Sequence, residues 1–244
     1  MNRLVLFDID GTLLRGGSLW GDSFIRSIKA EFPDLASSPG TGEKIARIKF
    51  GGKTDGQICR EVLTAAGLSL EEAIAATPRV VEGYLRRARE GLVVRAHEMC
   101  VLPGVVEVLR GLAAEPSVCL GLLTGNVEAG AHLKLETAGL LEFFHDGSGF
   151  KLGAFADDHH DRYELPLIAV KKAQQRLGIR FEGKQVVVIG DTIHDVNCGK
   201  SIGVRAIAVG TGHGVTREEL VAENPDFYFD DLSATEAVLD AIRR

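Results

Sequence analysis

The run Leu4-Val-Leu-Phe-Asp8-Ile-Asp10-Gly-Thr12-Leu sets an unbroken apolar stretch directly before two carboxylates two residues apart. Such a run reads as a buried strand, and Gly11 permits the sharp exit a strand tip needs. Four later segments have the same construction. Residues 118–124 lead into Thr-Gly-Asn, 185–191 into Gly-Asp-Thr, 205–209 into Gly-Thr-Gly, and 226–229 into Asp-Asp. Continuous rather than alternating apolar runs suit strands covered on both faces. Helical pattern separates them, so the expected class is α/β with a Rossmann-like parallel sheet whose carboxyl tips share one edge.

The connecting helices are read at 104–114, where Val105, Val108, Leu109 and Leu112 share a face, at 127–138 closed by Gly139, and at 165–177 closed by Gly178. Thr192 is read as the cap of a helix running to about residue 203, and 233–243 closes the chain. Residues 15–95 contain no strand-like run. Helices are expected at 18–32, 42–50, 55–66 and 69–89, with Asp55 as an N-cap, Gly67 past a C-terminus, and Ser69-Leu-Glu-Glu72 as a capping box. This organisation predicts an α/β core from 1–14 and 96–244, with 15–95 inserted as an α-helical cap over the ligand end of the sheet.

Composition narrows the function. The 244 residues are 45% hydrophobic and 25% charged, an ordinary globular balance. The net charge of −6, without a Lys/Arg cluster, argues against nucleic-acid or membrane-surface binding but leaves room for a small anionic substrate. Cys59, Cys100, Cys119 and Cys198 lack metal or disulfide spacing, and Cys119 and Cys198 read as buried small hydrophobes. The N-terminal run is too short for a signal peptide, and no stretch approaches the roughly 20 apolar residues of a membrane span. A cytoplasmic location is the expectation.

The polar residues that end the strands form one set: Asp8 and Asp10, Thr124 with Asn126, and Asp191 with Asp195. Carboxylates converging on one sheet edge repel one another unless a cation intervenes, and hard oxygen donors favour Mg²⁺. The expected ligands are the Asp8 carboxylate, the Asp10 carbonyl and Asp191. Asp195, one helical turn on, either ligates directly or holds a metal-bound water.

These motifs resemble the haloacid dehalogenase superfamily in its phosphatase branch, of the kind with an α-helical cap that includes phosphoglycolate phosphatases. Asp8-Ile-Asp10-Gly-Thr12 is similar to the first family motif, Leu123-Thr124-Gly125-Asn126 to the second, and Gly190-Asp191-Thr192-Ile-His-Asp195 to the fourth. The resemblance implies a Mg²⁺-dependent phosphatase acting on a small phosphorylated metabolite such as phosphoglycolate or a sugar phosphate. Asp8 would be the nucleophile that forms an aspartyl-phosphate, and Asp10 the acid and then base. Thr124, Gly125 and Asn126 would bind the phosphoryl group. The family's usual Lys-Pro-x-Pro cation is missing; Arg162 in Asp161-Arg162-Tyr-Glu-Leu-Pro166 takes that place, ahead of Lys151, Lys171 and Lys172.

Gly51-Gly52-Lys53-Thr54-Asp55 reads either as an interhelical turn or as a substrate loop in which Lys53 contacts the ligand. Asp157-Asp158-His159-His160-Asp161 reads as a solvated loop, His194 as a surface or supporting group, and Trp20 as packing between cap and core. Three other functions share part of the pattern. A sugar phosphomutase or other phosphotransferase shares every motif. A dehalogenase has no use for a second aspartate, and a phospho-acceptor module lacks the insertion.

Overall fold

The computed structural model describes residues 2–36 and 41–244. Six strands form one parallel sheet: β1 (Arg3–Phe7), β4 (Val118–Leu123), β5 (Gly153–Ala154), β6 (Val186–Gly190), β7 (Arg205–Val209) and β8 (Phe227–Phe229), in the order β5-β4-β1-β6-β7-β8. β1 lies centrally, with Val5 opposite Leu120 of β4 on one side and Val187 of β6 on the other. Every residue of β6 and β7 is buried, which explains their unbroken apolar runs. β2 (Leu14–Arg15) and β3 (Cys100–Val101) pair antiparallel where the chain leaves the sheet region and returns to it.

The helices are α1 (Leu19–Glu31), α2 (Pro33–Ala36), α3 (Thr41–Ala46), α4 (Asp55–Ala66), α5 (Leu70–Arg95), α6 (Val105–Ala113), α7 (Glu128–Thr137), α8 (Leu141–Phe144), α9 (Leu165–Leu177), α10 (Ile193–Ser201), α11 (Arg217–Ala222) and α12 (Thr235–Arg243). One face of the sheet packs on α6, α7 and α12 through Val108, Leu112, Leu135 and Val238, the other on α9 through Leu165, Ala169 and Ala173. A separate cluster unites α1, α4 and α5 through Phe24, Ile28, Val62, Leu63, Val80 and Tyr84, with Leu133 of α7 joining it. Three layers, the sheet between two layers of helices, and a helical bundle with its own core account for these buried faces.

Several boundaries differ from the sequence reading. α5 runs through Gly91 to Arg95 instead of ending at 89. A Cβ at Gly91 would stand 2.3 Å from Leu19 Cδ1, so this glycine allows close packing of α1 and does not end the helix. α3 ends at Ala46, and Phe50 leaves the helical path to meet the Phe24 ring edge-on at 5.9 Å. Thr54, not Asp55, caps α4: its hydroxyl accepts the Gln57 N–H at 3.1 Å, which frees the Asp55 carboxylate for another partner. β5 is only two residues long and carries no apolar run, so the pattern did not reveal it. Cys198 is buried as expected, whereas Cys119 is partly exposed, and all four cysteines are free.

Candidate active site

The tip of β1 is shaped by a tight turn. The Ile9 carbonyl accepts the Leu13 N–H at 2.9 Å, Gly11 N–H returns to the Leu14 carbonyl at 2.8 Å, and Gly11 takes a φ of 84°. A side chain at Gly11 would be strained by that angle, and its Cβ would stand 2.4 Å from Asp191 Oδ2. Asp8 is thereby aimed at the end of β6, where Thr12 Oγ1 donates to Asp191 Oδ1 at 2.8 Å.

The end of β6 supplies the second half. Thr192 caps α10 in a capping box whose acidic member is Asp195. Asp195 Oδ2 accepts from Thr192 N–H at 3.0 Å and Oγ1 at 2.6 Å, so the box turns Asp195 back toward Asp191 and Asp8. Oxygens of Asp8, Asp191 and Asp195 all lie within 4.8 Å of one another, and all three residues are buried. Burial pushes the Asp8 carboxyl up to about 6, with Arg162 opposing and Asp195 and Asp10 adding to the rise. Burial, followed by the charges of Asp8 and Asp195, holds Asp191 well above the usual carboxylate range. Such a buried cluster of hard oxygen donors, carrying more negative charge than one arginine balances, fits a divalent metal ion.

That arginine is Arg162. A 3₁₀ turn at Arg162–Glu164, capped by Asp161 on the Tyr163 N–H, delivers its guanidinium beneath the sheet edge. One terminal nitrogen stands 3.0 Å from Asp8 Oδ1 and also pairs with Asp195 Oδ1. Burial disfavours the charge of Arg162, but Asp195 and Asp8 more than offset this and hold its pKa above the ordinary arginine value. Its buried Nε has no hydrogen-bond partner among the described residues. Two of the rival lysines point elsewhere, Lys151 donating to the Glu142 and Phe143 carbonyls and Lys172 pairing with Asp158 at 2.6 Å, and Lys171 is exposed.

Thr124 and Asn126 continue β4 into the cavity. Asn126 Nδ2 donates to Thr124 Oγ1 at 2.8 Å and to Asp10 Oδ2 at 2.7 Å. Gly125 packs against the 51–55 loop so closely that a Cβ there would lie 2.1 Å from the Lys53 carbonyl oxygen. The loop is fastened by three bonds: Asp55 N–H to the Gly125 carbonyl at 2.7 Å, Val127 N–H to Asp55 Oδ2 at 2.9 Å, and Thr54 Oγ1 to the His160 carbonyl at 2.5 Å. Lys53 lines the same cavity, although its amine is paired with Glu61 at 2.5 Å. The loop thus carries the cap of α4 on Thr54 and lines the cavity, and Lys53 is ion-paired to Glu61 rather than solvated.

Asp8, Asp10, Thr124, Gly125, Asn126, Arg162, Asp191 and Lys53 all line one cavity of about 690 Å³, while Asp195 stands behind Arg162. Its outer wall consists of Trp20, Phe24, Phe50, Ile58 and Tyr84 from the helical segment. Trp20 thus does more than pack: its ring meets Tyr84 edge-on at 6.2 Å and also faces the cavity. The 157–161 loop is more tied down than a solvated loop. Asp158 Oδ2 accepts the Phe155 N–H, and Asp157 accepts that of Glu128. His194 is half-buried, 3.2 Å from the Tyr163 hydroxyl.

The residue that sequence reasoning missed is Lys134 on α7. It is buried, and its amine reaches Asp10 Oδ2 at 2.5 Å and Asn126 Oδ1 at 2.6 Å. It shares the buried face of α7 with Ala131, but nothing in the sequence names the partners of its amine.

Comparison with known proteins shows the family. Residues 2–203 match the family of haloacid dehalogenase-like hydrolases. The chain is 32% identical over 236 residues to Probable phosphatase IndB of Dickeya dadantii (strain 3937), covering 96% of this chain and 91% of that one. It is 27% identical over 234 residues to the phosphoglycolate phosphatase of Synechococcus elongatus, covering 95% and 94%. A hydrolase structure from Pseudomonas syringae superposes with a TM-score of 0.67 at 19% identity, covering 98% of each chain. The chain belongs to the haloacid dehalogenase-like hydrolase family.

Proposed function

We propose that the protein is a phosphatase that hydrolyses a small phosphomonoester through an aspartyl-phosphate on Asp8. The observation that carries this reading is the clustering of Asp8 with Asp191 and Asp195, with Arg162 paired to both Asp8 and Asp195, at a cavity that Asp8 and Asp10 both line. In the first step Asp8 attacks phosphorus and the bond to the leaving oxygen breaks, that oxygen taking a proton from Asp10. In the second, Asp10 takes a proton from water as its oxygen attacks phosphorus and the bond to Asp8 breaks. Thr124, the Gly125 and Asn126 region and the guanidinium of Arg162, all of which line the cavity, bind the phosphoryl oxygens. Asp8, Asp191, Asp195 and the Asp10 carbonyl would hold a Mg²⁺ ion, whose charge would offset that of the phosphoryl group.

Residues 15–95 act as the cap domain over the core of 1–14 and 96–244 and set the substrate. The aromatic outer wall favours a leaving group with an apolar or ring face. Among the described residues, the cavity's other cations are engaged: Lys53 by Glu61, Lys134 by Asp10, and Arg15 by the Thr211 carbonyl at 2.7 Å. This disfavours a substrate as short and doubly anionic as phosphoglycolate. A phosphate-release assay with Mg²⁺ over phosphoglycolate, sugar phosphates, nucleoside monophosphates and aryl phosphates tests both points. We expect ring-bearing substrates to lead in kcat/KM, and Asp8→Asn to lose at least about a thousandfold in activity on all of them. An active Asp8→Asn protein would refute the nucleophile. Phosphate passing to a sugar hydroxyl instead of water would identify a mutase.

A further inference from the structure

We infer that Lys134 is a positioning residue for the reaction, fixing the carboxylate of Asp10 at the leaving-group side of the cavity; this rests on the phosphatase reading above. An ammonium group with only 4% of the residue exposed is costly unless paired, and nothing in the packing of α7 requires a lysine there. The long side chain runs back toward the N-terminus of its helix, as helical side chains do. It ends on three partners. Asp10 Oδ2 lies at 2.5 Å, Asn126 Oδ1 at 2.6 Å, and the centroid of the Trp20 ring at 4.7 Å.

The first two contacts close a ring. Asn126 Nδ2 donates to the same Asp10 Oδ2 at 2.7 Å, so that oxygen is pinned by two donors that are themselves joined. Among the described residues, no hydrogen bond ends on the other oxygen, Oδ1. Pinning one oxygen fixes the direction of the other, and Asp10 is the site's most exposed carboxylate, with 45% of its side chain accessible. Without an anchor, a side chain so open would sample several rotamers. With Lys134 in place, its free oxygen is held ready to pass a proton to the leaving oxygen. The third contact ties this anchor to the helical segment, because Trp20 belongs to α1. The face of that ring attracts the ammonium charge.

A positioning role for the proton donor has a signature that a packing role lacks. Proton transfer matters most when the departing oxygen is basic and least when it leaves readily as an anion. The test measures kcat/KM for para-substituted phenyl phosphates, from p-nitrophenyl to phenyl and p-methoxyphenyl, in the wild type and in Lys134→Met. We expect the variant's loss to grow along the series and to be about tenfold larger for phenyl than for p-nitrophenyl phosphate. Lys134→Arg, which keeps a cationic donor, should return that ratio to within about threefold of wild type. Lys134→Gln has a shorter side chain that withdraws from Asp10; it should repeat the selective loss, and it serves if the Met variant fails to fold. A loss equal across the series in a folded variant would overturn the role of Lys134 while leaving the phosphatase reading intact. A wild-type protein that cleaves no phosphomonoester would overturn both.

Discussion

At the scale of single residues, the site is a balance of buried charge. Asp8, Asp195 and Asp191 are taken out of water within one small volume, and Arg162 is the cation that reaches two of them. Removing one partner of a buried ion pair leaves the other uncompensated, which typically costs about 3–5 kcal/mol. Arg162→Met in metal-free buffer should therefore lower the unfolding free energy by roughly that amount, measured by urea titration. Arg162→Lys should recover part of the stability but little activity, because it lacks the planar guanidinium that pairs with both Asp8 and Asp195. Most of these residues were legible in the sequence because strand-tip carboxylates announce themselves by spacing. Lys134 was not, since a lone lysine within a helix looks like a solvated one until the facing residues are known.

At the scale of elements, helix caps carry the site. The box that closes the start of α10 turns Asp195 inward, and the cap of α4 is also a tether to the loop before Arg162. The sequence predicted the position of both helix starts but chose the wrong cap for α4. Thr54 and Asp55 are both good cap residues, and only the fold shows that Asp55 is needed to accept the Val127 N–H. Likewise α5 runs to Arg95, six residues past the expected 89, and the reason Gly91 is glycine lies on α1. Thr54→Val keeps the shape of the side chain but removes both the cap bond and the bond to the His160 carbonyl. It should lower the urea midpoint by the equivalent of about 1–2 kcal/mol at unchanged m-value. A shift below a few tenths of a kcal/mol would mean that water replaces both bonds at no cost.

At the scale of the whole molecule, the helical segment is seated on the sheet edge by contacts that depend on charge. Asp55 stands at that seam. Its carboxyl is pushed up to about 6, first by burial, with Lys134 and the Val127 N–H opposing and Asp10 and Asp157 adding to the rise. The seated form thus binds a proton more tightly than the unfolded chain, whose Asp55 titrates near 3.8. The stabilising effect of that proton is full below about 4 and fades as pH rises toward about 6, so this group makes stability fall with rising pH across that window. The cost at neutral pH is at most about 3 kcal/mol, less in so far as the cavity admits water to the carboxylate. Asp55→Asn retains an oxygen for the Val127 N–H but cannot ionise. Its unfolding free energy should therefore exceed that of the wild type at pH 7 and approach it at pH 4, with a flatter slope between. Equal slopes in the two proteins would mean that the carboxylate stays ionised in the seated form.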